Sequence, residues 1–286
     1  MIPKSSKTIY LSVKDHSVSG EEFQLLYNEN LELLETFPQP SEETLSNYYD
    51  SEDYISHTDA KRNLFEKIYH VFKSIALKRK LKLINSFNTE TKSLLDVGCG
   101  TGDFLKIAKD NQWQVCGIEP NESARSIANG KAHDTVFDSD HLSKFNSQSF
   151  DVITLWHVLE HLPNLQGHIA KFEKLLKPSG KLVIAVPNYN SYDAHYYKHF
   201  WAAFDVPRHL WHFTKTAISK ITGKHNMMVE AQLPMLFDAY YVALLSEKYK
   251  NGFMNPLKAF WVGWQSNRKA KRTNEYSSLI YVIKKQ

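Results

Sequence analysis

From residue 61 to 87 the apolar side chains Leu64, Phe65, Ile68, Val71, Phe72, Ile75, Leu81 and Ile84 recur at helical spacing, with lysines and arginines between them. That spacing predicts one long amphipathic helix with room for a single break. The period then changes. Short apolar runs of the kind found in buried parallel strands, SLLDVG, QVCGIEP, DTVF, FDVITLW and KLVIAVPN, alternate with the helical stretches FLKIAKD, ESARSIANG and GHIAKFEKLLKPSG. Beyond Pro187, MMVEAQLPM and SSLIYVIKK read as two closing strands, with DAYYVALLSEKY and PLKAFWVGWQSNRKAKR as helices between them. The pattern predicts an α/β doubly wound, seven-stranded sheet, mostly parallel with an antiparallel C-terminal hairpin. Residues 1–60 are polar and turn-rich around FPQPSEE, and predict an N-terminal extension or lid of short elements ahead of a main domain over 61–286.

Composition narrows the class without naming it. With 42% hydrophobic and 23% charged residues among 286, the chain can bury a full core. A net charge of +4 supplies no basic stripe, so nucleic acid is not an obligatory partner. Cys99 and Cys116 are the only cysteines, which excludes a disulfide framework and points to a reducing compartment. The first twenty residues lack an apolar signal core, and no run approaches the roughly 20 apolar residues of a membrane span. A cytoplasmic protein is expected.

The first strand runs into DVGCGTGDF, where Gly98, Gly100 and Gly102 alternate ahead of a helix. Glycines there allow a sharp turn and a close ligand, and the helix start offers unpaired N–H groups. A dinucleotide fingerprint would need a small residue at 103, where Asp103 stands. The pattern D-x-G-x-G-x-G, from Asp96 to Gly102, resembles motif I of the class I S-adenosylmethionine-dependent methyltransferases, closest to the ubiquinone-pathway type, and the likeness runs from about 92 to 190. The resemblance implies a cofactor half over those residues and acceptor-side elements over about 188–275. It implies that Asp96 and the glycine loop face the cofactor, and that Glu119, ending the second strand, binds the ribose hydroxyls with two carboxylate oxygens. Adenine would lie against FDSDHLSKF, with Asp140 and His141 as candidates and Asp138 close behind, and Trp156 would face the cofactor from the end of the fourth strand.

LWHVLEHLPN then falls at the rim where such sheets bind ligands. Methyl transfer needs an in-line acceptor, and a hydroxyl acceptor also needs a base. His157 is the candidate base, and His209 the second catalytic candidate. In the ubiquinone-pathway and small-RNA enzymes the matching E-x-x-E-H segment, with a downstream histidine, holds a divalent ion. Here Glu160 and His161 match, His157 replaces the first glutamate, and His209 and His212 are available downstream. The primary expectation is no metal, with Glu160, His161, His209 and His212 the candidates for a His-rich site if one exists; Glu160 and His161 otherwise read as local turn residues. Methyl-acceptor contacts are expected from Tyr54 and His57, with Tyr49 beside them, and from Tyr192 and Arg208 in the aromatic stretch 188–214, which reads as a binding loop. In LKAFWVGWQSNRKAKR the aromatics read as core and the basic end as a solvated helix terminus, with contact to an anionic membrane as the secondary reading. The N-terminus also resembles a cysteine-ligated zinc element of related bacterial enzymes, but its cysteines are absent. The expected function is S-adenosylmethionine-dependent methyl transfer to an oxygen of a small molecule or a glycan or lipid intermediate. A nicotinamide-dependent oxidoreductase, a non-catalytic cofactor-binding module and an RNA methyltransferase are the alternatives.

Overall fold

The computed structural model describes residues 8–45, 48 and 64–286. Its centre is a seven-stranded sheet in the order β10-β11-β8-β7-β4-β5-β6. The strands are β4 (Ser93–Val97), β5 (Gln114–Ile118), β6 (Val136–Phe137), β7 (Phe150–Trp156), β8 (Leu176–Pro187), β10 (Met227–Pro234) and β11 (Ser278–Lys285). β4 to β8 are parallel, and β11 enters antiparallel between β8 and β10.

The apolar runs explain the layering. Neighbouring residues of one strand feed opposite faces: Leu95, Ile153 and Leu182 join one core, and Leu94, Val152 and Val183 the other. The first face is covered by α4 (Leu165–Leu175) and α6 (Lys215–Gly223) through Ile169, Phe172, Ile218 and Ile221. α1 (Leu64–Asn85), α2 (Asp103–Asp110) and α3 (Glu122–Ala132) cover the second through Ile84, Phe104, Leu105 and Ala128. α4 stops at Leu175, and the LKPSG that reads as its tail already belongs to β8.

The short elements expected in the extension are mainly strands. β1 (Thr8–Lys14), β2 (Glu22–Asn28) and β3 (Leu33–Phe37) form an antiparallel meander, and β9 (Trp211–His212) adds a fourth strand to it. The aromatic stretch 188–214 is not a loose binding loop. Tyr197, Trp201 and Phe204, each 2% exposed, form a separate core with Phe23, Leu25 and Leu34 of the meander and with Val242 and Val262 of α7 (Asp238–Asn251) and α8 (Pro256–Thr273). Aromatic density signalled burial there. Asp193 of α5 (Tyr192–Tyr197), itself fully buried, pins this core by accepting hydrogen bonds from Trp201 Nε1 at 2.8 Å, Ser266 Oγ at 2.6 Å and Ser277 Oγ at 2.7 Å.

Candidate functional site

The glycine loop uses left-handed backbone at all three positions, with φ of 67°, 56° and 76° at Gly98, Gly100 and Gly102. Each glycine answers a different demand. A Cβ at Gly98 would stand 2.5 Å from Val158 Cγ2, and one at Gly102 would stand 2.9 Å from the Cα of Ala128 on α3. At Gly100 nothing lies within 4 Å, so its backbone faces open space. Gly100 N donates to Glu119 Oε2 at 2.8 Å, and Asn121 N to Oε1 at 2.9 Å, which fixes the carboxylate at the end of β5 and leaves each oxygen a further acceptor site. Asp96 lies beneath, 2% exposed, accepting from Thr154 Oγ1 at 2.6 Å. Burial pushes its pKa up to about 6 against the pull of Thr154 and the Lys80 charge. Asp103, the departure from the dinucleotide fingerprint, is held by Lys73 at 2.5 Å and Lys131 at 2.6 Å.

Trp156 ends β7 with its ring edge-on to Phe104, and its buried Nε1 has no hydrogen-bond partner among the described residues. Lys80 of α1 lies 4.4 Å from its ring centroid, and burial lowers the lysine's pKa against the raising charges of Asp96 and Asp238. Sequence reading missed Lys80, because one lysine on a lysine-rich helix carries no signal of its own. On the adenine side, His141 stacks on Phe137 at 3.9 Å, so one ring face is already covered. Asp138 caps the backbone N–H of His141, and Asp140 is exposed.

Immediately after Trp156, at the same carboxyl end of β7, His157 takes a left-handed φ of 57°. Its Nε2 lies 3.1 Å from Asp238 Oδ2 and its Nδ1 3.4 Å from Glu160 Oε1. Burial alone would lower its pKa, but the two carboxylates outweigh it and push it up to about 10. The expected base is therefore corrected: between two carboxylates the ring is an imidazolium at neutral pH and holds its proton. Asp238 was not foreseen, since a helix-start aspartate reads as a cap.

Glu160 is 1% exposed; His157 Nδ1, 3.4 Å from Oε1, pairs with it only loosely, and neither oxygen accepts a well-formed hydrogen bond among the described residues. His161 Nδ1 donates to Arg208 O at 3.1 Å and His209 Nδ1 to Ala203 O at 2.9 Å, which makes Nε2 the lone-pair nitrogen of each ring. One ligand atom from each of Glu160, His161 and His209 lies within 4.8 Å of the others. Burial pushes the His161 pKa down to about 4, so that ring is neutral. His212 stands apart, its Nε2 donating to Thr36 Oγ1 at 3.0 Å. Leu210 N donates to Glu160 O at 2.8 Å, and this tie carries stretch 188–214 up to the sheet.

Arg208 lines the cavity but is largely committed as a structural clamp. It is 4% exposed and binds Asp15 at 2.9 Å, Asp205 at 2.7 and 3.0 Å and Tyr48 O at 3.0 Å, so four of its five N–H donors are committed. Tyr192 lies under Lys269, whose Nζ is 3.7 Å from its ring centroid, and does not line the cavity. Tyr49, Tyr54 and His57 lie outside the described residues. A cavity of about 640 Å³ opens beside this centre, with His157, His209, Asp205 and Asp238 as its polar wall and Val242, Leu245 and Met254 on the apolar side.

Residues 68–232 match the model of a family described as a methyltransferase domain. The chain is 34% identical over 106 residues to a ubiquinone biosynthesis O-methyltransferase of Coxiella burnetii, covering 35% of this chain and 45% of that protein. Against one from Idiomarina loihiensis it is 28% identical over 178 residues, covering 59% and 68%. The match thus spans between about half and two thirds of these relatives. Among solved structures, magnesium protoporphyrin IX methyltransferase of Synechocystis PCC 6803 superposes with a TM-score of 0.56 at 15% identity, covering 86% of this chain and 100% of that one. An S-adenosylmethionine-dependent methyltransferase of Archaeoglobus fulgidus gives 0.50 at 18% identity, covering 78% and 100%. At these identities the superpositions speak for the fold.

Proposed function

The chain belongs to the class I S-adenosylmethionine-dependent methyltransferases, and from that premise we propose that it methylates an oxygen of a small-molecule acceptor held in the cavity beside His209 and Asp238. The observation that carries this reading is the Glu160–His161–His209 centre, which reaches the cavity through His209: a buried carboxylate and two imidazoles suited to an oxygen nucleophile. The cofactor, when bound, supplies an electrophilic methyl group on a sulfonium. The loop fits such a ligand: Gly100 offers unobstructed backbone, Glu119 keeps acceptor sites for hydroxyls, and Trp156 Nε1 awaits an acceptor.

The same residues fit a divalent ion of the kind related enzymes hold. Glu160 is a buried carboxylate whose one close cation, His157, stands 3.4 Å from Oε1 without forming a good hydrogen bond, and each histidine has its Nδ1 pinned to a backbone carbonyl, as metal ligands do. An ion there would polarise the oxygen to be methylated and lower its pKa. His157, already charged, serves to position Asp238 at the cavity wall. With an ion held by His209 Nε2, Asp238 is the cavity-wall group left to take up the hydroxyl proton; without an ion, His209 Nε2 is available as well. A lining that combines Val242, Leu245 and Met254 with polar side chains favours an amphiphilic acceptor, such as a glycan or lipid intermediate. The nicotinamide alternative is not favoured, with Asp103 fixed between two lysines where the fingerprint needs a small residue.

Calorimetric titration with S-adenosylhomocysteine, and in parallel with NAD⁺, tests the cofactor half. Binding of S-adenosylhomocysteine alone, lost in Glu119→Ala, is expected. Preference for NAD⁺, or an unchanged Glu119→Ala, would overturn the reading. The methyl-acceptor half is tested by label transfer from S-adenosylmethionine to hydroxylated amphiphiles, with transfer to nitrogen alone as the contrary result.

A further inference from the structure

α8 is built inside out. Its buried side carries Ala259, Val262, Gly263, Ser266 and Ala270, and a Cβ at Gly263 would stand 2.7 Å from Tyr240 Cδ1 and 3.0 Å from Tyr240 Cα of α7. Small residues thus let the two helices pack closely. The large side chains point away: Leu257 is 85% exposed, Phe260 64%, Trp261 42% and Trp264 44%. The turn between the helices adds Phe253 at 62% and Met254 at 46%. An amphipathic helix of a monomeric protein turns such residues inward, and a contiguous apolar face of this kind marks an interface. The expectation that these aromatics belong to the core is corrected here.

Charge selects the partner. From Gly252 to Asn274 the chain carries Lys258, Arg268, Lys269, Lys271 and Arg272 and no acidic residue, whereas the whole protein has a net charge of +4. Lys258 Nζ lies 4.7 Å from the Trp261 ring centroid, and the Arg268 guanidinium lies 5.4 Å from that of Trp264, so cations border the aromatic face. A second copy meeting this face across a two-fold axis would set the same basic groups against each other. An anionic bilayer instead offers phosphates to the cations and an acyl boundary to the rings. No helix among the described residues is long and apolar enough to cross a membrane, so the contact lies on the surface.

We infer that the α7–α8 hairpin docks the protein on an anionic lipid bilayer. Met254 and Tyr241, 54% exposed, belong both to this face and to the cavity lining, so docking turns the cavity mouth toward lipid. The contact does not depend on which compound the cavity takes.

The test is co-flotation of the full chain with vesicles of phosphatidylcholine alone, or containing about one third phosphatidylglycerol, at about 50 mM and about 500 mM salt. Capture by the anionic vesicles at low salt is expected, with a blue shift of tryptophan emission. Phosphatidylcholine alone, high salt, Lys271→Gln/Arg272→Gln and Leu257→Ser/Phe260→Ser should each reduce capture about ten-fold or more. The substituted positions are exposed apart from their helical backbone, and an unchanged thermal transition checks that the variants fold. Absence of capture at low salt, or capture unaffected by Leu257→Ser/Phe260→Ser, overturns the inference. So does a dimer in sedimentation that the same double variant dissolves, since the face then belongs to a second copy.

Discussion

Asp15 and Arg208, 193 positions apart in the chain, form a buried ion pair at 2.9 Å that joins the N-terminal meander to the wall of the cavity. Asp15 also accepts the N–H groups of Ser17, Val18 and Ser19 in the turn after β1. Removing Asp15 leaves Arg208 with Asp205 as its remaining counter-charge and takes the acceptor from the turn after β1, so Asp15→Ala should cost about 1.5–3 kcal/mol. Urea midpoints check this, and Asp15→Ala/Arg208→Met should recover part of the loss. A cost below about 1 kcal/mol would mean that the pair is solvated.

Alanine at two glycines should separate folding from ligand binding. Gly102→Ala adds a left-handed φ penalty to a 2.9 Å clash with the Ala128 backbone, and should lose on the order of 2 kcal/mol or more of stability. Gly100→Ala meets no protein atom and should lose about 1 kcal/mol, while weakening S-adenosylhomocysteine at least about ten-fold. Equal stability losses with intact binding would contradict the roles given to the loop.

Chelator-treated protein should take up one equivalent of zinc or manganese in calorimetry, with release of few protons because His161 is already neutral. Glu160→Gln keeps the volume but removes the charge, and should weaken the ion by about ten-fold or more. Saturable uptake that survives both Glu160→Gln and His209→Ala would place the ion elsewhere.

The buried Asp96 gives the apoprotein a pH signature. Its folded pKa of about 6 exceeds the usual 3.8, so the native state holds the proton more tightly than the unfolded chain does. The cost of ionising it is absent below pH about 4, grows as pH rises through about 6, and then stays constant at about 3 kcal/mol. Asp96→Asn lacks this dependence, so its stability relative to the parent should rise across that window. Denaturation midpoints at pH 4.0, 5.0, 6.0 and 7.0, as round values spanning the shift, measure it; a constant difference would rule it out.

Legibility followed periodicity. The strands around Asp96, Glu119 and Trp156 were readable because each ends a continuous apolar run, and the glycine loop because three glycines follow the first of them. The centre was readable in part: Glu160, His161 and His209 were named, but nothing local separates His209, which points at Glu160, from His212, which turns to Thr36. The charge state of His157 was hidden for the same reason, since it depends on Asp238, whose place beside the ring is set by the C-terminal half of the fold. The partners of Arg208 and the exposed face of α8 were not legible because residue type gives chemistry without direction. A buried arginine and a ligand-binding one look alike in a sequence, and so do aromatics on the two sides of a helix.

The pairing of β3 with β9 also has a consequence in time. Thr36 meets His212 across 176 positions, so during synthesis the meander leaves the ribosome long before the strand that completes it. At about 5–20 residues per second the interval is on the order of ten to thirty-five seconds. Throughout it, Phe23, Leu25 and Leu34 lack the aromatic cluster that buries them in the finished protein. A nascent chain arrested before Arg208 should therefore be cut readily by protease within β1 to β3, and one released at full length should resist. The meander is made long before it finds its place, and over that interval its apolar strands are the part of the nascent chain most exposed to helpers and to aggregation.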